Sequence, residues 1–322
     1  MSGNSFTEKI REMINTRNIL FLLFSATALI VAYTPVRALY SSNKSEYYSH
    51  IALIPLVSIY LVYIKRKEIF EKVNYSFAAG ILVLLFGIAM FLGGILLGAS
   101  LDKNNYASLI MFSIFIFING AFLFSYGMQA YRRALFPLLF LIFTVPVPTA
   151  IMDSIITFLQ VGSTELSNLL FMASGVPFVR DGFVFQLSDI SVEVARQCSG
   201  IRSSMAIFIV SVLAGHMFLK TWWKQISLVV CAVFIAMFKN GIRILTLSLL
   251  GNYVDPVILT SSLHREGGTP FFVLALLLLA PILFLLRRSE KFAEKGEGFS
   301  SALSSAGARA LQGRGGAKRR RW

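Results

Sequence analysis

The chain has 322 residues, of which 56% are hydrophobic and only 14% are charged, and its mean hydropathy is +0.70. Such a composition is too apolar for a soluble domain of this length. The formal net charge of +14 does not indicate nucleic-acid binding, because residues 287–322 hold ten Lys and Arg against three Glu, which gives +7 of that total. We therefore predict an all-α polytopic membrane protein, with the lipid bilayer and not nucleic acid as its surroundings.

Long apolar runs follow one another along the chain, and a spanning helix needs about 20 such residues. The eight runs that we interpret as transmembrane helices are 19–36, 50–64, 77–100, 107–127, 134–150, 202–219, 225–250 and 270–286. The first run follows basic residues as in a signal sequence, but no small-x-small cleavage site comes after it, so we predict a retained span. The chain then divides into a cytoplasmic segment 1–18, a membrane domain 19–286 and a basic, disordered cytoplasmic tail 287–322.

The charge of the connectors predicts which side of the membrane each one faces. The connectors near 65–72, 132–133 and 220–224 are basic, like the C-terminal tail, and the positive-inside rule places them in the cytoplasm together with the N-terminus. We expect the plasma (inner) membrane as the location. The moderately apolar stretch 152–175 would break this alternation as a ninth span, so we predict a short interfacial helix on the outer face.

An extended segment follows this helix and leads to a cysteine. Apolar residues alternate with polar ones between Phe183 and Val194, which is typical of strands with one covered face. Cys198 then lies at the start of span six, where unpaired backbone amides and the helix dipole favour a thiolate. An isolated cysteine is more often a small buried apolar residue, but the neighbouring Ser199 and the positive charge of Arg202, one turn further on, favour a nucleophile.

Polar groups from three further segments are predicted on the same outer face. Arg243 and Asn240 fall in the outer part of span seven, His264 lies in the loop before span eight, and His50 opens span two. An arginine inside the membrane is costly and is a functional candidate, although it can also snorkel outwards or bond to Asn240. A thiolate, a guanidinium and an imidazole are the groups that acyl transfer requires. His216 falls near the cytoplasmic end of span six and is assigned to the interface.

Four motifs carry a resemblance to a known family. The run 194–204, which contains Cys198, is similar to the cysteine motif of the exosortase/archaeosortase family. Asn240-Gly-Ile-Arg243 resembles the arginine motif, and His264 with the following Gly-Gly resembles the histidine motif. The segment that ends at His50 resembles the N-terminal histidine motif, so the set occurs in the expected order.

The resemblance implies an integral-membrane cysteine peptidase or transpeptidase that cuts sorting signals from exported proteins. Its substrates carry a C-terminal tail made of a short motif, a transmembrane helix and a basic cluster, and the reaction passes through a thioacyl intermediate at the extracytoplasmic face. It implies Cys198 as the nucleophile, Arg243 as the cation for the oxyanion or substrate, and His264 as the acid/base. Further candidates for substrate contact or support of these groups are His50, Arg202, Asn240 and Ser199.

Two alternatives to an enzyme stay open at this point. The first is a non-catalytic component of exopolysaccharide export or polymerisation, which needs no nucleophile. The second is a transporter, which predicts internal repeats and ionisable groups near the bilayer midplane; we find no repeat. No cofactor and no metal are predicted, because three histidines and two cysteines are scattered without ligand spacing. The second cysteine, Cys231, lies inside an apolar run and is assigned to core packing and not to a disulfide.

Overall fold

A computed structural model of the chain describes residues 16–40, 50–196, 200–255, 257 and 269–291. Within these ranges, seven helices are long and apolar enough to cross a membrane. This finding confirms the prediction of an all-α polytopic membrane protein. The chain forms two compact units, which divide between residues 155 and 156, inside one long helix. Each unit is described by itself.

The described residues of the first unit form six α-helices and the beginning of a seventh. They are α1 (Thr16–Tyr40), α2 (Leu53–Ile64), α3 (Arg66–Ile69), α4 (Phe77–Leu97), α5 (Lys103–Arg133), α6 (Leu135–Phe140) and α7 (Thr149–Ser174). The backbones of α4 and α5 approach closely, because a Cβ atom on Gly80 would lie only 2.5 Å from the Cα atom of Phe124. Small residues of this kind allow apolar helices to pack where no hydrophobic driving force acts between them.

Polar contacts fix the two ends of this unit. At one end, Arg17 donates to the carbonyl of Val73 at 2.7 Å. Arg133 forms an ion pair with Glu71 at 2.7 Å, and the hydrogen bond from Arg133 lowers the pKa of the Glu71 carboxyl. At the other end of α5, the side chain of Asn105 accepts from the backbone N–H of Thr149 at 2.9 Å. The segment from 134 to 148 therefore runs from one end of the unit to the other.

Two of the eight predicted spans are shorter helices than the sequence indicated. The run 50–64 forms α2, with 12 residues, and the run 134–150 forms α6 followed by a short 3-10 helix, Leu141–Thr144. At 1.5 Å per residue, α2 rises about 18 Å, less than the ~30 Å of a hydrocarbon core. Pro146 and Pro148 explain the second case, because proline disfavours helix in the residue before it and removes a backbone donor.

Helix α7 is longer than the short interfacial helix that the sequence predicted for residues 152–175. It has 26 residues, and its length and composition make it a candidate span. Four of its polar residues share one face and are buried within the protein; they are Gln160, Ser163, Thr164 and Ser167. The sequence does not show which polar residues of this stretch are buried. Its place at the outer interface stays a prediction.

Where the structure describes it, the second unit consists of the rest of α7, three strands and three α-helices. The strands β1 (Val179–Asp181), β2 (Val184–Gln186) and β3 (Ser191–Glu193) form an antiparallel sheet in that order, which confirms the predicted β-like segment. The helices are α8 (Ile201–Phe218), α9 (Trp222–Tyr253) and α10 (Thr269–Lys291).

Helices α8 and α9 form an antiparallel pair, and α10 packs against both. At the end of α8, a Cβ atom on Gly215 would lie 3.5 Å from the Cα atom of Gln225 in α9. The Glu290 carboxylate of α10 accepts the backbone N–H groups of Lys220 and Thr221 at 3.1 and 2.8 Å. These bonds satisfy amides at the start of α9 that have no partner within the helix, so they hold the end of α10 beside the α8–α9 turn.

Candidate functional site

The small sheet anchors the chain that leads into the cysteine motif. Phe185 of β2 is fully buried and stacks on Phe171 of α7, with 5.0 Å between the ring centroids. Both rings pack in one cluster with Ile244 of α9 and with Val194, which directly follows β3. The carbonyl of Val194 also accepts from the side chain of Gln160 at 2.6 Å. The backbone is therefore held at Val194, four residues before the cysteine.

Gly200, at the start of α8, is the second point at which contacts hold the backbone of this segment. Its backbone is left-handed, with φ 73° and ψ 19°, and its carbonyl accepts the N–H of Ser204 at 2.9 Å. A Cβ atom at this position would lie 2.9 Å from Oδ1 of Asn240 and 3.3 Å from Nζ of Lys239. Glycine is required here both by the left-handed backbone and by the close approach of α9. The start of α8 thus lies directly against Lys239 and Asn240.

Lys239 is a buried cation that the sequence analysis did not select. Its side chain is 1% exposed, and its ammonium group donates to the hydroxyl of Ser203 in the first turn of α8. The Ser203 hydroxyl in turn donates to the carbonyl of Gly200 at 3.0 Å. The available signal was a lysine within a long apolar run, because an ionisable group inside a membrane segment is a functional candidate by itself.

Arg243 and Asn240 extend this polar segment of α9. Asn240 is fully buried, and Arg243 is half-buried. Arg243 follows Lys239 by four residues, so the two cationic side chains share one face of the helix. The polar segment of α9 that contains Lys239 and Asn240 lies at the same level of the second unit as the start of α8.

Three of the predicted site residues, Cys198, Ser199 and His264, lie outside the described residues, so their positions stay predictions. In the sequence, Cys198 precedes Gly200, which lies against α9, by two residues.

The remaining candidates, Arg202 and His50, are among the described residues. Arg202 lies in the first turn of α8, and its side chain is exposed. His50 directly precedes α2 in the first unit, where its carbonyl accepts the N–H of Leu53 at 3.0 Å, so its contribution to a site in the second unit stays a prediction. His216 lies in the last turn of α8, at the opposite end from Gly200. Cys231 of α9 is a free, half-buried cysteine, as expected.

These features define a polytopic membrane protein in which a cationic side chain, Lys239, and a buried amide, Asn240, of one helix meet the start of its neighbour. A family model described as transmembrane exosortase matches residues 41–281, which include both of these helices. The chain belongs to the transmembrane exosortase family, which confirms the resemblance seen in its motifs. No curated protein and no solved structure matches the chain.

Proposed function

We propose that this protein is a membrane-embedded cysteine peptidase or transpeptidase that cleaves C-terminal sorting signals of exported proteins at the outer face of the plasma membrane. The family and the cysteine motif support this class of reaction. The observation that carries the proposal is the contact of Gly200 with Lys239 and Asn240. Through this contact Gly200, which follows Cys198 by two residues in the sequence, lies beside the turn of α9 that precedes Arg243.

The proposed reaction is an acyl transfer in two steps. The thiolate of Cys198 attacks the scissile carbonyl carbon, the new C–S bond forms, and the π electrons of the carbonyl move to its oxygen. Arg243 stabilises this oxyanion. When the carbonyl re-forms, the C–N bond breaks and His264 gives a proton to the departing amine, which leaves a thioester on Cys198. Water or an acceptor amine or hydroxyl then attacks the thioester carbonyl and gives its proton to His264, and the C–S bond breaks to release the thiolate.

The substrate in this proposal is an exported protein whose tail contains a short motif, a transmembrane helix and a basic cluster. The basic cluster holds the end of such a tail in the cytoplasm, and the helix keeps the motif near the outer surface. A nucleophile at the outer end of α8 therefore meets the motif without removing the helix from the bilayer.

The first prediction concerns the side of the membrane that the sheet faces. In a chain without native cysteines, Val179→Cys should react with a membrane-impermeant maleimide in intact spheroplasts, because Val179 is 65% exposed and is predicted to lie outside. Lys67→Cys is the control: its exposed side chain belongs to a basic connector and should react only after lysis. Labelling of Val179→Cys only after lysis would place the sheet in the cytoplasm and contradict the proposed location of the site.

The second prediction tests the reaction itself. Cells that make this chain and a tail-bearing reporter should show a shorter reporter on gels, and intact mass should place the cut at the short motif. Arg243→Ala should reduce cleavage about 10²- to 10³-fold, since it removes a group that stabilises the oxyanion. Arg287→Ala is the matched control, because this arginine of α10 lies over the Phe218 ring and has no proposed part in the reaction.

Cleavage by Arg243→Ala at the normal rate would remove this residue from the proposed mechanism. A reporter that stays uncut even with the unaltered chain would contradict the peptidase proposal and favour the non-catalytic role in exopolysaccharide export.

A further inference from the structure

Lys239 is a buried ammonium group that has no part in the reaction proposed above. A charged group without a compensating partner is costly in the interior of a membrane protein. Among the described residues, the hydrogen-bond partner of Lys239 is the neutral hydroxyl of Ser203, and no carboxylate lies within ion-pair distance of it. Its positive charge is therefore directed at the first turn of α8 without being neutralised there by the described part of the chain.

The contacts of Lys239 lead directly to the turn that follows the cysteine. Its ammonium group holds the Ser203 hydroxyl, which donates to the carbonyl of Gly200. The ammonium also lies 3.3 Å from the position that a Cβ atom on Gly200 would take. Cys198 precedes this glycine by only two residues in the sequence.

We infer that Lys239 is a positioning residue for Cys198. Its ammonium group, through Ser203, fixes the left-handed turn at Gly200 and, with Arg243, supplies the positive field that keeps the thiol ionised at neutral pH. This role rests on the proposed function, in which Cys198 is the nucleophile. A nearby cation stabilises a thiolate in the same way at the reactive cysteines of other enzymes.

The other charged groups around this turn are mostly positive as well. Arg243 follows on α9, and Arg196 and Arg202 flank the cysteine in the sequence. The exposed Glu193 ends β3, and Glu165 of α7 is already in an ion pair at the edge of the sheet, at 2.7 Å. The balance of charge on the described elements therefore favours the thiolate.

A serine beside a lysine also occurs as a catalytic dyad, in which a neutral lysine accepts the proton of the serine. The hydrogen bonds here run in the other direction: Lys239 donates to the Ser203 hydroxyl, and that hydroxyl donates to Gly200. The Lys239→Arg variant distinguishes a base from a positioning cation, because arginine keeps the positive charge but does not lose its proton and so cannot act as a base.

The test measures the reactivity of Cys198 as a function of pH. The chain has two cysteines, so the Cys231→Ser protein, purified in detergent, has Cys198 as its one thiol. We expect its alkylation by iodoacetamide to have a midpoint below the ~8.5 of an ordinary cysteine. Lys239→Met should raise this midpoint and reduce the alkylation rate at neutral pH about tenfold or more. Lys239→Arg should keep the rate within about threefold of the parent.

Lys224→Met is the matched control. Lys224 lies on the same helix, and its ammonium group also donates to a serine hydroxyl, that of Ser289, at 2.8 Å. It is about 22 Å away along α9, at 1.5 Å per residue. Removing this charge should leave the midpoint unchanged, and an equal shift in Lys224→Met and Lys239→Met would overturn the local role.

A midpoint at or above ~8.5 in the parent protein, or an unchanged midpoint in Lys239→Met, would also overturn the inference. The parent measurement needs no lysine variant, and Lys239→Gln replaces the methionine variant if that protein does not fold. Because alkylation requires no substrate, a low midpoint in a protein that never cleaves the reporter would reject the proposed function and leave the role of Lys239 standing.

Discussion

Replacing Cys198 by serine is expected to abolish cleavage of a tail-bearing exported protein, with a loss of about 10³-fold or more. Serine has nearly the same volume, but its hydroxyl is far less ionised than a thiol near neutral pH and is a poor substitute in a site adapted to a thiolate. Membrane insertion and abundance should stay normal. The measurement is the electrophoretic shift of the reporter in cells that make equal amounts of each variant.

Cys231→Ser is the control for the loss of a cysteine as such. Cys231 lies in α9, eight residues before Lys239, and is half-buried, so its replacement should cost at most some stability through a buried hydroxyl. Normal cleavage by Cys198→Ser would end the thiol-nucleophile proposal, whereas equal loss in both variants would indicate a general effect on folding.

Replacing Gly200 by alanine is expected to reduce cleavage about 10²-fold. The left-handed backbone costs an alanine about 1 kcal/mol. In addition, its Cβ atom would lie 2.9 Å from Oδ1 of Asn240, so either the amide or the start of α8 has to move. A displacement of about 1 Å in a reacting group is enough for a loss of this size. The rate of reporter cleavage measures it, after normalisation to folded protein.

Gly182→Ala separates the two causes. Gly182 also has a positive φ, of 57°, in the turn between β1 and β2, but nothing lies within 4 Å of the Cβ position. Alanine there carries the backbone cost without the contact with α9, so cleavage should fall by less than about tenfold. If Gly182→Ala were as damaging as Gly200→Ala, the contact with Asn240 would not be the reason for the loss.

The fold class followed from the sequence because uninterrupted apolar runs are a direct consequence of bilayer thickness. The β-like segment before α8 was predicted as well, since Phe185 and Val194 follow the alternation of strands with one covered face, and both are buried. Helix lengths were less predictable. Pro146 and Pro148 shortened one apolar run to a short helix, and α7 carries polar and charged residues, among them Asp153 and Glu165, that make a long helix look only moderately apolar.

From the sequence, the cysteine and arginine motifs could be predicted only to lie on the same face of the membrane, because α8 and α9 run in opposite directions. The role of Lys239 could not, because a lysine in a short polar segment gives no sign of which neighbouring helix it contacts. Its hydroxyl partner, Ser203, and the close approach at Gly200 arise from the antiparallel packing of two helices. Sequence spacing alone does not specify that packing.

A thioester between Cys198 and the substrate is the most direct test of the central claim. The chain and a tail-bearing reporter would be combined in membranes and quenched in acid, and the digested protein analysed by mass spectrometry. We expect the peptide that contains Cys198 to carry the N-terminal part of the reporter, up to the cut, and to lose it on treatment with neutral hydroxylamine. Cleaved reporter without any adduct on Cys198, and with the same yield in Cys198→Ser, would contradict a thioacyl mechanism.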